Sequence, residues 1–242
     1  MNPRVAAVVR KEVREYRRNR LILLTMLLLP TFFLVIPLIG VIVLPGDAPE
    51  EAILAVTAQS QLLFLLIPVI LPTTIAAYTV IGEREQGTLE PLLSTPATDE
   101  EILRGKAIAA TVPSALLAWL LFGVFVGVSA LLAADRVRDE ILDPAQILAQ
   151  VLLAPVLAVF AIEVGMAISV RSSDIRVAQQ LSGLAMLPVF GAIFLFSYEI
   201  IDPSVGRYLL AAAVVAVVDV AGWRLVVPMF DRERLLTRYG GT

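Results

Sequence analysis

The chain contains no cysteine and no histidine. Without cysteine it forms no disulfide and offers no thiolate as nucleophile or metal ligand. Without histidine it has no imidazole base, and most zinc sites lose their ligand set. The expectation is therefore no catalytic residue and no metal site on this chain. The phosphate loop Gly-x4-Gly-Lys-Ser/Thr is missing too: Gly105-Lys106 has neither the upstream glycine nor the following hydroxyl. Charge is scarce, at 17% of residues with a net of -3, which implies no nucleic-acid partner.

What the chain has is apolar length. Of 242 residues, 58% are hydrophobic, and the mean hydropathy is +0.85. Soluble domains sit nearer 45–50% apolar. The excess falls in long runs, and a helix needs roughly 20 apolar residues to cross a bilayer. Six segments qualify: 21–44, 53–81, 107–134, 146–170, 177–198 and 207–228. The first run is too long for a signal-peptide core of about 7–15 residues, so it reads as an uncleaved span. The expected fold is an all-α membrane protein of six transmembrane helices, one domain over 1–242.

The flanks orient it. With the N-terminus inside, every one of the 19 basic residues except Arg136, Arg138 and Arg207 falls on the cytoplasmic side. Cationic loops resist translocation, so both termini are expected in the cytoplasm. The outer loops carry acids instead, among them Asp47, Glu50, Asp135 and Asp143.

Residues 3–19 form a separate element. Val5, Val8, Val9, Val13 and Tyr16 recur at helical spacing, with Arg10, Lys11, Arg14, Arg17 and Arg18 on the other face. That pattern suits an amphipathic helix in the inner membrane interface, or a plain basic anchor leading into the first span.

The segment 83–106 between spans two and three is the longest cytoplasmic connection. Thr88 reads as an N-cap, and Pro91 falls in the first turn, where a missing N–H costs nothing. Leu89, Leu92 and Leu93 form a small apolar face, and Pro96 stops the helix. Thr98 and Glu101 then form a capping box for a helix running through Lys106 into span three. A short capped helix on this face suits docking on a soluble partner, or lying on lipid.

The run GEREQGTLEPLLSTPATDEEILRGK resembles the signature loop of type-2 ATP-binding-cassette (ABC) exporter permeases. The matching positions are Glu83, Arg84, Glu85, Gly87, Thr88, Leu89, Glu90, Leu92, Leu93, Thr95, Pro96, Gly105 and Lys106. The opening VVRKEVREYRRNR, the apolar run with Pro30 and the ending FDRERLLTRYG are similar to the sodium-extrusion-like branch. The resemblance implies a permease paired with a second copy or a paralogous permease in a prokaryotic-type inner membrane. It implies ABC ATPase subunits below, which would bind ATP and magnesium; this chain would hold no cofactor. The helix after Gly87 would be the coupling helix, with Glu83 and Glu85 at its hinge. Residues 199–206 would form the family's short outer hairpin. Pro91 departs from the family pattern, which bears on the length or tilt of the coupling helix.

Two acids lie within spans, Glu163 and Asp219. Charge there costs roughly 2.5–3.5 kcal/mol on insertion scales, so it faces a cavity or a partner. They read as an inner polar vestibule or cation site, or as structural acids satisfied in place. Gln59 and Gln61 either line a pathway or sit at the outer interface. Gly123 and Gly127 give a Gly-x3-Gly pair that serves packing within the chain or between chains. Three functions fit: an exporter permease driven by a partner ATPase, an ion-coupled secondary transporter using Glu163 and Asp219, and a membrane scaffold or immunity-type subunit that recruits an ATPase. The loop favours the first over the second; the third shares it.

Overall fold

The computed structural model describes residues 2–77, 81–85, 87–88, 91–92, 94–172, 174–197 and 204–230. Among these residues the chain is helical and contains no strand. The helices are α1 (Pro3–Arg18), α2 (Arg20–Val43), α3 (Glu50–Ala77), α4 (Ile81–Glu85), α5 (Asp99–Leu132), α6 (Asp135–Ile141), α7 (Pro144–Arg171), α8 (Ile175–Ala185), α9 (Leu187–Ser197) and α10 (Val205–Val226), followed by a 3-10 turn, Val227–Met229.

Among the described residues, five stretches are long and apolar enough to cross a membrane: Glu50–Glu83, Asp99–Leu132, Pro144–Arg171, Ile175–Leu195 and Val205–Met229. The chain is a multi-pass membrane protein. Helical backbone also covers the first expected span as α2, of which Leu28–Val43 is a shorter apolar stretch.

Sequence chemistry sets the helix ends. Asp143 accepts the Ala145 N–H at 3.0 Å, with Pro144 at the first helical position of α7. Asp174, not anticipated from sequence, caps α8 by accepting the Arg176 and Val177 N–H groups at 2.6 and 3.3 Å. The capping box of Thr98 and Glu101 is present at the start of α5. The fifth expected span is divided at Met186 into α8 and α9. Pro188, two residues later, lacks an N–H and crowds the carbonyl four residues back, which accounts for the break. The short helix α6 carries no length signal, yet it buries Val137 and Ile141 against the core.

α3 is the central helix, with 79% of its most apolar window buried, against 11% for the window on α10. The outer α10 accordingly exposes Leu209, Leu210, Val214 and Val217, as a helix facing lipid does. Around α3, the rings of Phe64, Phe122 and Phe125 stack at centroid distances of 5.0 to 6.3 Å. Two buried amides tie α3 to α7: Gln150 donates to the Phe64 carbonyl at 3.2 Å, and Gln61 donates to the Gln146 carbonyl at 3.4 Å. Gln61 is thus a structural contact, while Gln59 stays exposed on the same helix.

Glycines separate close from open helix faces. A Cβ on Gly105 would lie 2.5 Å from Val8 of α1, and one on Gly165 would lie 2.3 Å from Ala76 of α3. Both distances are below van der Waals contact, so these crossings require glycine. Gly123 and Gly127 meet nothing within 4 Å. The Gly-x3-Gly pair therefore packs against no described residue of this chain.

This contrast is testable. Gly105→Ala is expected to destabilise by about 1–3 kcal/mol through overpacking. Gly123→Ala is expected to be neutral or to stabilise by up to about 1 kcal/mol through helix propensity. Reversible unfolding of the purified chain in mixed detergent micelles checks both.

Candidate functional site

The site is the place where α1, the end of the second span and the start of α5 meet. The apolar stripe on α1 brings them together. Val5, Val8 and Tyr16 are buried, and Val9 and Val13 pack partly into the cluster around Tyr16. The stripe read from sequence as facing the membrane interface thus turns in large part toward protein, because Gly105 offers α1 a flat seat. The N-termini of α1 and α5 are also joined. Asn2 donates to Glu101 at 2.5 Å, and Arg4 pairs with the same carboxylate at 3.5 Å. Backbone hydrogen bonding from Thr98, and then the charge of Arg4, hold that partly buried carboxyl below the usual range.

Behind this contact lies a charge cluster. The Lys106 ammonium is 2% exposed and sits between two carboxylates, 2.8 Å from Glu12 and 2.9 Å from Glu83. Lys11 approaches from the other side, 3.1 Å from Glu12, 3.2 Å from the half-exposed Glu15, and in direct contact with Glu83. Two lysines and two buried glutamates form a charge-neutral quartet, with Glu15 at its rim. The oxygens of Glu12, Glu15 and Glu83 gather within 4.8 Å of one another. Lys11 bonds to all three, so an ammonium already supplies the positive charge such a group requires.

The protonation states follow from this geometry. Burial alone would raise the Glu12 carboxyl, but Lys106 and Lys11 outweigh it and hold the group below its ordinary 4.5. Burial would lower Lys11, but Glu12, Glu83 and Glu15 together raise it above its ordinary 10.5. Tyr16 is pushed well above 10.0 by burial and by its hydrogen bond to Glu12, so it stays a neutral donor.

The loop leaves the cluster through a tight stop. Gly87 has φ of +66°, and the Thr88 N–H reaches back to the Glu83 carbonyl at 2.8 Å. This is a left-handed helix ending, for which glycine is the residue of choice. The hydroxyl of Thr88 also donates to the Glu83 carbonyl, at 3.3 Å, and its own carbonyl accepts the Leu92 N–H at 3.2 Å. Pro91 and Leu92 have helical backbone. Thr95 donates its hydroxyl to the Leu92 carbonyl at 2.7 Å and closes the turn. Leu92 packs partly into the α1–α5 cluster. A cavity of about 500 Å³ lies between α1 and this turn, lined by Arg4, Lys11, Glu15, Leu92 and Pro96 among others. Leu89, Glu90 and Leu93, and the side chains of Arg84 and Glu85, lie outside the described residues. So do the chain end from 231 and most of the expected hairpin at 199–206.

Of the residues singled out in sequence, the structure gathers Glu83, Thr88, Leu92, Thr95, Pro96 and Lys106 at this one site. Lys11, Glu12, Glu15 and Tyr16 complete it and were not read from sequence as site residues. Glu12 carried a signal: it is an acid inside a basic helix, one turn before Tyr16 on the apolar stripe.

Glu163 and Asp219 lie elsewhere, between α7 and α10. Both are buried. Glu163 Oε2 stands against Gly222, where a Cβ would approach it to 2.5 Å, and Asp219 is one turn earlier on the same helix. Asp219 Oδ1 has no hydrogen-bond partner among the described residues.

The family model described as ABC-2 family transporter protein matches residues 6–218. No curated protein matches the sequence.

Removing one member of a buried ion pair leaves its partner uncompensated, so Lys106→Met is expected to cost about 3–5 kcal/mol. Unfolding in mixed micelles measures it. The pH response has a defined window. A lowered Glu12 stabilises the attachment of α1 above pH 4.5, and that is lost as pH falls through its lower folded value. A raised Lys11 stabilises it below pH 10.5, and that is lost only as pH rises through its higher folded value. Dyes on cysteines introduced at the exposed Arg10 and Arg104 should report a constant separation between these limits; the native chain has no competing cysteine.

Proposed function

Because the chain belongs to the ABC-2 transporter family, we propose that it is the permease subunit of an ATP-driven exporter, coupled to separate ABC ATPase subunits. Two such permeases, identical or paralogous, enclose the pathway in a prokaryotic-type inner membrane. Six spans cross it, α2 being the first, and both termini face the cytoplasm. α1 rides on the inner interface with its basic face toward lipid headgroups. The turn after Gly87 is the coupling helix.

One observation carries this reading: Lys106 and Lys11 bind α1, the end of the second span and α5 into one charged junction directly behind that turn. A partner pushing on the turn would meet a hinge at Glu83 that the two lysines brace. Force would pass into α3 and α5 together, and α3 is the most buried span. The largely apolar cavity between α1 and the turn, lined by Val8, Leu92 and Pro96 with Arg4, Lys11 and Glu15 beside them, would admit side chains of the ATPase.

The test is reconstitution with the cognate ATPase in lipid vesicles. The wild-type pair should co-purify and hydrolyse ATP in step with transport. Glu83→Gln keeps the size of the side chain and removes its charge. It should lower transport about tenfold or more per ATP hydrolysed, while the complex still assembles. Unchanged coupling in the assembled variant would reject the role of the junction. Active transport by the chain alone would reject the permease reading.

A further inference from the structure

The chain's two lysines, Lys11 and Lys106, are both in the charge cluster, and every other basic residue is an arginine. Four of those arginines, Arg10, Arg14, Arg17 and Arg18, lie on α1, and all four are exposed. Among the described residues none of the four is in an ion pair. The two acids of α1, Glu12 and Glu15, are taken up by the lysines. The cluster thus neutralises itself and leaves the outer side of α1 with uncompensated positive charge.

The turn of the helix says what that side meets. Val5, Val8 and Tyr16 are buried in protein. On one flank, Arg4, Lys11 and Glu15 border the cavity beside the turn. On the opposite flank, Val9 and Val13 are half-buried and pack against the same buried cluster as Met26 of α2 and Trp223 of α10. The four arginines occupy the remaining side, between these flanks and away from the protein. An amphipathic helix ordinarily holds a membrane by its apolar stripe. Here the stripe is taken up by protein, with Val5 and Val8 only 6% exposed, so what α1 offers to lipid is charge. Its position is fixed by the Gly105 seat and by the ion pair from Glu12 to Lys106. No ordering of the helix therefore opposes binding.

We propose that this side of α1 is a binding surface for anionic phospholipid headgroups, with Arg10, Arg14, Arg17 and Arg18 holding their phosphates. This rests on the reading above, in which α1 lies at the inner interface. With the turn on the cytoplasmic side, the flank of Val9 and Val13 faces the edge of the hydrocarbon. The arginines then fall between the two, at headgroup level. A guanidinium presents a planar fork of donors that grips a phosphate by two hydrogen bonds. Arg10, Arg14 and Arg17 follow one another along one ridge, about 10 Å from first to last, so they meet more than one headgroup at once. A zwitterionic headgroup carries its own cation and gives such a ridge little net attraction, whereas an anionic one attracts every arginine on it.

The test uses the full-length chain, without ATPase, in phosphatidylcholine vesicles. Ala6→Cys, one turn before Arg10 and partly exposed, takes a bimane dye, and the native chain has no competing cysteine. Phosphatidylglycerol or phosphatidylcholine, spin-labelled near the glycerol, is added in increasing proportion and quenches the dye on contact. Phosphatidylglycerol should quench saturably, with an apparent affinity at least about tenfold above that of phosphatidylcholine, and high salt should close the gap. Arg10→Gln, Arg14→Gln, Arg17→Gln and Arg18→Gln together should abolish the preference. Arg171→Gln with Arg176→Gln, which removes exposed charge elsewhere, should leave it. Electron spin resonance of the same lipids with the undyed chain reports the fraction immobilised by protein, and decides the matter if the dye disturbs the seat of α1. Equal quenching by both lipids would overturn the proposal and leave α1 at the interface. No quenching by either would overturn both. A preference that survives the α1 substitutions, or falls as far with the control pair, would also overturn it. So would an α1 variant that keeps its lipid preference but no longer co-purifies with the ATPase, since that places the arginines against the partner protein.

Discussion

Lys106 is a full charge with 2% of its side chain exposed, set near the start of a helix long and apolar enough to cross a membrane. Such a charge is tolerated only when opposite charge and hydrogen bonds surround it. Here the compensation comes from distant parts of the chain: Glu12 from the N-terminal helix and Glu83 from the end of the second span. Each of the three segments thus needs the other two. Lys11 completes the balance, and without it two buried carboxylates would share one ammonium. The position of α1, the rigidity of the loop's base and the seating of α5 all follow from keeping that ammonium paired.

Packing and electrostatics support the same geometry. Gly105, next to Lys106, lets Val8 approach until no side chain would fit between them. That brings Glu12, one turn further along α1, within reach of Lys106. The left-handed Gly87 stops the helix one turn after Glu83, with the Thr88 N–H closing back on the Glu83 carbonyl, so the loop leaves close to the cluster. Apolar contact sets the distance, the ion pairs select the register, and glycine stops the helix. Near-neutral pH changes none of this, because the carboxyl of Glu12 is lowered and the ammonium of Lys11 raised.

Much of this fold was legible in the sequence. Apolar run length located the five stretches long enough to cross a membrane to within a few residues at most ends, and the capping box at Thr98 and Glu101 appeared as read. Departures have local causes. Pro188 divided the fifth span, Asp174 started it earlier, and α6 was too short to show a period. The charge cluster was harder to see. Lys106 and Glu12 are 94 positions apart, and nothing in the spacing of either reports that they meet. A helix with valines on one face and basic residues on the other reads as a membrane-surface element, because composition does not tell a lipid partner from a protein one. Gly105 was recognisable as part of a motif, but the need for it, the Val8 contact, is tertiary.

The central claim is that Lys106, Glu12 and Glu83 act as one unit joining α1 to the base of the loop. A double-mutant cycle between Lys106→Met and Glu12→Gln, read by reversible unfolding in mixed micelles, addresses it most directly. The account predicts strong non-additivity, with an interaction energy of about 1–3 kcal/mol. Effects that add to within about 0.3–0.5 kcal/mol would show two independent sites and contradict it.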